Sequence, residues 1–283
     1  MATVQICGIA DEAGQDIETQ VKAHTELGWD LLELRLVDGR NATDLTDDEF
    51  DRVYAAVTEA GLHVPSFASQ LCNWARPITT DFAVDVAELR RAIPRMQRLG
   101  AKTIRIMSYP NDKDNPLPEA EWRKEALRRI RELVKMAEDG GIVLVHENCH
   151  GWACRNTDAM LELVEEIPSP SLKLLFDMGN FSGKPVGASR EMYSKIREHI
   201  AYVHMKDRGD DGATFPGQGN CEVRRITQDL AATGYDGIIS IEPHIAAVVH
   251  LGKTSDPQLM YETYIKYGRM AAEIVEEANA VAG

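Results

Sequence analysis

Four residues have the types and spacing that suit them to binding a hard cation: Glu147 in "LVHEN", Asp177 in "LLFDMGN", His204 in "YVHMKDR" and Glu242 in "ISIEPH". Each closes a run of branched apolar residues, where a buried strand would end. A carboxylate or charged imidazole left alone in a low-dielectric place loses its hydration, so isolated burial is costly. Three carboxylates and one imidazole together form a mixed oxygen and nitrogen set, suited to a divalent ion such as Mn, Mg, Co or Fe with positions left for water or substrate oxygens. A structural zinc would more often use sulfur. Taken singly, each acid would as readily cap a helix or pair with a neighbour, and His204 could be a satisfied core histidine. Their recurrence at four consecutive strand ends is what points to one shared ion.

A repeating grammar must position them. Apolar, β-branched runs begin at Val4, Leu31, His63, Thr103, Ile142, Leu172, Ala201 and Gly237. Helical patterns lie between and after them, over 16–27, 47–60, 82–99, 119–139, 157–167, 189–198, 224–232 and 257–280. Phrases such as "LGWDLLEL", "LGAKTIRI" and "TGYDGIIS" place a glycine where a helix would stop in the left-handed conformation. Nearly continuous apolar strands alternating with helices specify a parallel sheet covered by helices. Eight such units in 283 residues predict an α/β fold, a single (β/α)8 TIM barrel over residues 1–283. An open doubly wound sheet is the alternative, but the first strand is not followed by GxGxxG. The long loops 68–81, 109–118 and 208–219 follow strand C-termini, the barrel face that carries chemistry.

The net charge of -14, from 45 acidic and 31 basic residues, disfavours nucleic acid as a partner. The densest basic run, Arg123 to Lys135, has glutamates at helical spacing among its cations, as on a solvated helix face. No apolar stretch reaches the ~18 residues of a membrane span and no secretory leader is apparent, so a cytoplasmic protein is expected. Five cysteines without a CxxC pair fit a reducing compartment.

The motifs "HEN", "FDMGN", "HMKD" and "IEP", separated by 30, 27 and 38 residues, resemble those of the xylose isomerase-like sugar isomerase and epimerase superfamily. The likeness runs from the first strand to the last helix, and "FPGQGNCEV" is similar to the "PGxGxxD" loop after its seventh strand. The resemblance implies one divalent ion, Mn, Mg or Co, on Glu147, Asp177, His204 and Glu242. It also implies Glu147 and Glu242 as the catalytic pair on opposite faces of a keto sugar, moving a proton next to its carbonyl through a metal-stabilised enediolate. The partner is then a small carbohydrate, with no membrane, and a homo-oligomer stays open because relatives form dimers or tetramers.

The chain departs from the epimerase pattern at three places. Asn180 stands where epimerases commonly carry histidine, Ala153 where they carry a further glutamate and Asp210 where they carry arginine. "HMKDR" is similar to inosose dehydratase-like members, which makes a dehydratase or β-eliminating lyase on the same site the competing reading. A sugar-binding barrel without catalysis is the third.

Around this set, His150, Trp152, Asn180, Lys206 and Arg208 are expected to contact substrate. For Lys206 and Arg208 the alternative is local pairing with Asp207 and Asp210, and for Trp152 it is packing of its loop. His146 alternates away from Glu147 and should face the helices. Glu33 sits in the second strand with Arg35, and a barrel-interior ion pair or a substrate contact is as much expected of it as catalysis. Trp74 is a candidate aromatic over the pocket or a packed loop residue.

Overall fold

A computed structural model describes residues 3–181 and 184–282. Its main sheet has seven parallel strands: β1 (Gln5–Gly8), β2 (Ser66–Phe67), β3 (Thr103–Ser108), β4 (Val143–Gly151), β5 (Leu172–Asp177), β6 (Ile200–Met205) and β7 (Ile238–Ile241). They lie side by side in the order β1-β7-β6-β5-β4-β3-β2. The gap between β1 and β2 is filled by residues 31–35. Isolated bridges join Ile9 to Glu33, Leu31 to His63 and Leu34 to Phe67. Glu33 donates its backbone N–H to Gly8 O at 3.0 Å, and Ala68 donates to Leu34 O at 2.8 Å. The sheet thus closes into the eight-stave barrel that the sequence predicts, with one stave held by bridges alone.

Helices α1 (Ile17–Leu27), α2 (Asp47–Glu59), α3 (Ala83–Leu99), α4 (Glu119–Gly140), α5 (Thr157–Glu166), α6 (Ala188–Ile196), α7 (Val223–Ala232) and α8 (Pro257–Ala282) surround it. The glycines after α1 and α3, Gly28 and Gly100, have φ of 69° and 75°, the left-handed C-cap that a residue with a Cβ adopts only under strain. Helix α2 opens with a capping box between Thr46 and Glu49. The basic run lies on α4, where Arg128 pairs with Glu125 and Glu132 and Arg123 with Glu162 and Glu166.

Two apolar clusters fill the space between sheet and helices, one centred on β2 to β4 and the other on β5 to β7 with α8. Inside the barrel Val145, Leu175 and Tyr202 pack together as a floor. Side chains alternate along a strand, so the residues two positions further on, Glu147, Asp177 and His204, rise from the same inner face above that floor.

Candidate metal centre

One donor atom from each of Glu147, Asp177, His204 and Glu242 lies within 4.8 Å of the others, and all four residues are buried. Each side chain has one polar atom fastened and the other turned inward. Asn180 Nδ2 donates to Glu147 Oε1 at 2.9 Å. Gly179 N–H donates to Asp177 Oδ1 at 2.7 Å. Glu33 Oε1 faces His204 Nε2 at 3.2 Å, which leaves the lone pair on Nδ1. Arg35 Nη1 donates to Glu242 Oε1 at 2.6 Å. The inward atoms Glu147 Oε2, Asp177 Oδ2 and His204 Nδ1 are buried and make no hydrogen bond, although Arg105 Nη1 stands 3.4 Å from the first and Lys206 Nζ 2.9 Å from the second. Such orphans are expensive unless something else satisfies them.

Three oxygens and one nitrogen at this separation fit a divalent ion with bonds of about 2.1 Å, whose opposite ligands stand about 4.2 Å apart. The Lys206 ammonium supplies positive charge at the edge of the set, 2.9 Å from Asp177 Oδ2 and 2.5 Å from Glu242 Oε2. Burial raises the Asp177 carboxyl to about 6, against the pull of Lys206 and with Glu242 and Glu147 adding to the rise. Glu242 goes the other way: burial pushes its carboxyl up, but Lys206, His244 and Arg35 outweigh burial and hold it well below the usual range. Burial pushes the His204 imidazole down, but the facing Glu33 carboxylate more than reverses it.

A further layer sets these residues in place. Asn148 donates to Asp177 O at 2.9 Å and accepts from Asp177 N–H at 2.6 Å, clamping β4 to β5 at the height of the site. Arg35 holds Asp11 with two bonds, 2.9 and 2.7 Å, and Glu12 at 3.1 Å. His244, in a left-handed backbone conformation at φ 54°, donates its N–H to Glu12 Oε2 at 2.7 Å and turns the chain away just beyond Glu242. Asp11, Glu12, Arg105 and His244 escape a reading of strand ends, because their role is to neutralise and orient rather than to close a strand with a ligand. "ADEAG" directly after the first strand is the signal that could have found two of them.

The site opens into a cavity of about 630 Å³ on the face bearing the strand C-termini. His150, Asn180, Lys206 and Arg208 line it, together with Arg105 from β3 and with Trp74, itself 36% exposed. Trp152 does not. It is fully buried in the apolar core, with Arg123 and Arg155 over its ring, so the expected substrate contact is corrected to packing. The cause is Gly151, whose φ of 109° lets the backbone pass so close to Ser108 that a Cβ would sit 2.4 Å from its carbonyl carbon. The turn that follows, Trp152–Cys154, then carries the indole inward.

The local pairs are also corrected. Lys206 bonds Asp177 and Glu242 rather than Asp207. Asp207 is buried and accepts backbone N–H groups from Arg208, Gly217, Gly219 and Cys221, pinning the glycine-rich loop. Asp210 accepts from Asn220. Glu33 and Arg35 pair with His204 and with Asp11, Glu12 and Glu242, not with each other. His146 is buried with Nε2 3.8 Å from Cys154 Sγ, on the side away from the floor.

This barrel, with its ligand set at the strand C-termini, agrees with what the sequence profile of the xylose isomerase-like TIM barrel family matches over residues 21–267, and the chain belongs to that family. Among curated relatives it is 24% identical over 243 residues to a D-psicose 3-epimerase of Enterocloster bolteae, covering 77% of this chain and 74% of that one. It is 25% identical over 178 residues to an inosose dehydratase of Clostridium tetani, covering 55% of this chain and only 58% of the dehydratase's length. A solved xylose isomerase-like TIM barrel protein from Mycobacterium smegmatis in complex with magnesium superposes with a TM-score of 0.73 at 16% identity, over 100% of this chain and 98% of that one. No helix among the described residues is long and apolar enough to cross a membrane.

Proposed function

We propose that the chain is a divalent-metal-dependent isomerase or epimerase of a keto sugar or sugar derivative, with Glu147, Asp177, His204 and Glu242 holding the ion. The observation that carries this is the tied-and-turned arrangement of the four residues, three of which turn buried atoms that make no hydrogen bond toward one point beneath an open cavity. The epimerase relative and the magnesium-bound neighbour support it. An ion there, Mn, Mg or Co, would polarise the carbonyl and adjacent hydroxyl of a bound sugar and lower the barrier to removing the intervening proton by several kcal/mol.

The remaining duties fall to the chain's own groups. Glu147 and Glu242 are the paired base and acid, one taking the proton from carbon and the other returning one. Asn180 fixes the rotamer of Glu147 through Oε1, and Arg35 fixes that of Glu242, so neither carboxylate has to be ordered when substrate arrives. Arg105 Nη1 lies 3.4 Å from Glu147 Oε2, a cation beside the proposed base. His150 and Trp74 stand on the cavity wall where sugar hydroxyls and the ring face would lie.

Elimination is the second reading, and Lys206 favours it. A buried ammonium on the cavity wall, pressed between Asp177 and Glu242, places N–H donors where the oxygen of a departing hydroxyl would sit. Mn-loaded protein incubated with ketoses in deuterated water separates the two. Deuterium beside the carbonyl with the carbon skeleton intact is expected, and it should vanish with chelator or in Glu147→Gln. Loss of water would favour the lyase instead, and turnover that persists with chelator would overturn both.

A further inference from the structure

The chain as a whole is acidic, yet the wall of the cavity reverses the balance. Six lining residues are cationic, Arg35, Arg105, Lys113, Lys206, Arg208 and Lys253, against two carboxylates, Glu147 and Glu242. Three of the six are committed to acids at the site: Arg35 and Lys206 to Glu242, and Arg105 to Glu147. The other three come from separate loops. Lys113 lies after β3, Arg208 follows β6 in the loop pinned by Asp207, and Lys253 sits in the hairpin where Ala247–Val248 pairs with Lys253–Thr254. Among the described residues none of these three has an ion pair. Lys113 is near enough to His150 to add to the lowering of its imidazole that burial begins.

We infer that the substrate carries an anionic group, a carboxylate or a phosphate, which Lys113, Arg208 and Lys253 bind at the mouth of the cavity. The inference rests on the sugar reading of the site. The physical case is one of unmatched charge. A neutral sugar would leave three cations on the cavity wall, two of them exposed lysines, without a counter-charge, whereas an anion bound there gains charge-assisted bonds. On a chain that is acidic overall, the same patch concentrates anions at the cavity. Arg105 extends the patch inward: it is only 7% exposed and its buried Nε has no partner.

The test is calorimetric titration of Mn-loaded protein with D-fructose, D-fructose 6-phosphate and 5-keto-D-gluconate, with inorganic phosphate as a fourth ligand. One of the two anionic ketoses should bind about tenfold tighter than fructose at low ionic strength, and the margin should shrink in high salt. Which of them does so separates phosphate from carboxylate. The double variant Arg208→Gln, Lys253→Gln should erase the margin, and both positions are at least partly solvent-accessible, so folding is not at stake. Equal affinity for all three ketoses, an advantage that survives the double variant, or no binding of either anion at millimolar concentration would overturn the inference. Deuterium exchange into fructose without anionic preference would remove the anion and keep the proposed activity. Anion-selective binding without exchange into any ketose would do the reverse.

Discussion

Glu33 Oε1 lies 3.2 Å from His204 Nε2, both side chains fully buried, and Tyr202 OH donates to the other oxygen of the same carboxylate at 3.1 Å. Glu33 thereby selects the tautomer in which His204 presents Nδ1 to the site. Glu33→Ala should reduce Mn affinity by about 10- to 100-fold, the usual effect of removing the group that orients a histidine ligand. Titration calorimetry with Mn checks it. Unchanged affinity would mean that packing alone orients the imidazole.

Among the described residues, Arg35 is the sole guanidinium paired with Asp11, Glu12 and Glu242. Arg35→Met leaves those acids buried without it and should cost about 3–5 kcal/mol in urea unfolding, typical of breaking one side of a buried pair. Burial already lifts the Glu12 carboxyl to about 8 with Arg35 opposing the rise, so removing Arg35 raises it further. A carboxyl whose folded pKa exceeds its unfolded value contributes stability below the unfolded pKa and loses it as pH rises. Up to about pH 8 both proteins lose this contribution in parallel, so the deficit of Arg35→Met should grow above pH 8, and a deficit that shrinks there would contradict the assignment.

Burial lowers the His146 imidazole to about 3, with only Cys154 Sγ beside Nε2. The unfolded chain takes up a proton near pH 6.5 that the folded chain refuses, so stability is full above that pH and falls as pH drops toward 3. From pH 7 to pH 5 the loss should be about 2 kcal/mol for this group alone. His146→Leu should flatten the decline of Tm over that range. An unaltered slope would show that His146 does not govern the acid limb.

The sequence made the barrel legible because the helix stops and strand starts are written locally. All eight helices fall within two residues of the predicted bounds, and the four donor residues that the structure brings together sit where the apolar runs end. What stayed hidden depends on contacts between distant segments. Nothing in "LLELR" tells that Glu33 answers a histidine 171 positions away or that Arg35 reaches Glu242. The second and third predicted strands, from Leu31 and His63, came out as bridges and a two-residue strand, since their stretches spend backbone groups on loops. Trp152 was misplaced because residue type suggested stacking, whereas Gly151 decided the direction of the chain.

The stave of residues 31–35 has the fewest ladder bonds to its neighbours, yet it carries Glu33 and Arg35. The seam of the barrel is therefore stitched from within, by side chains reaching across to strands β6 and β7, more than by its own backbone edge. Closure of the ring and orientation of the site thus share one short segment, residues 31–35. Losing these polar stitches would loosen this one stave together with the donor residues it orients, while the backbone bridges keep the ring closed.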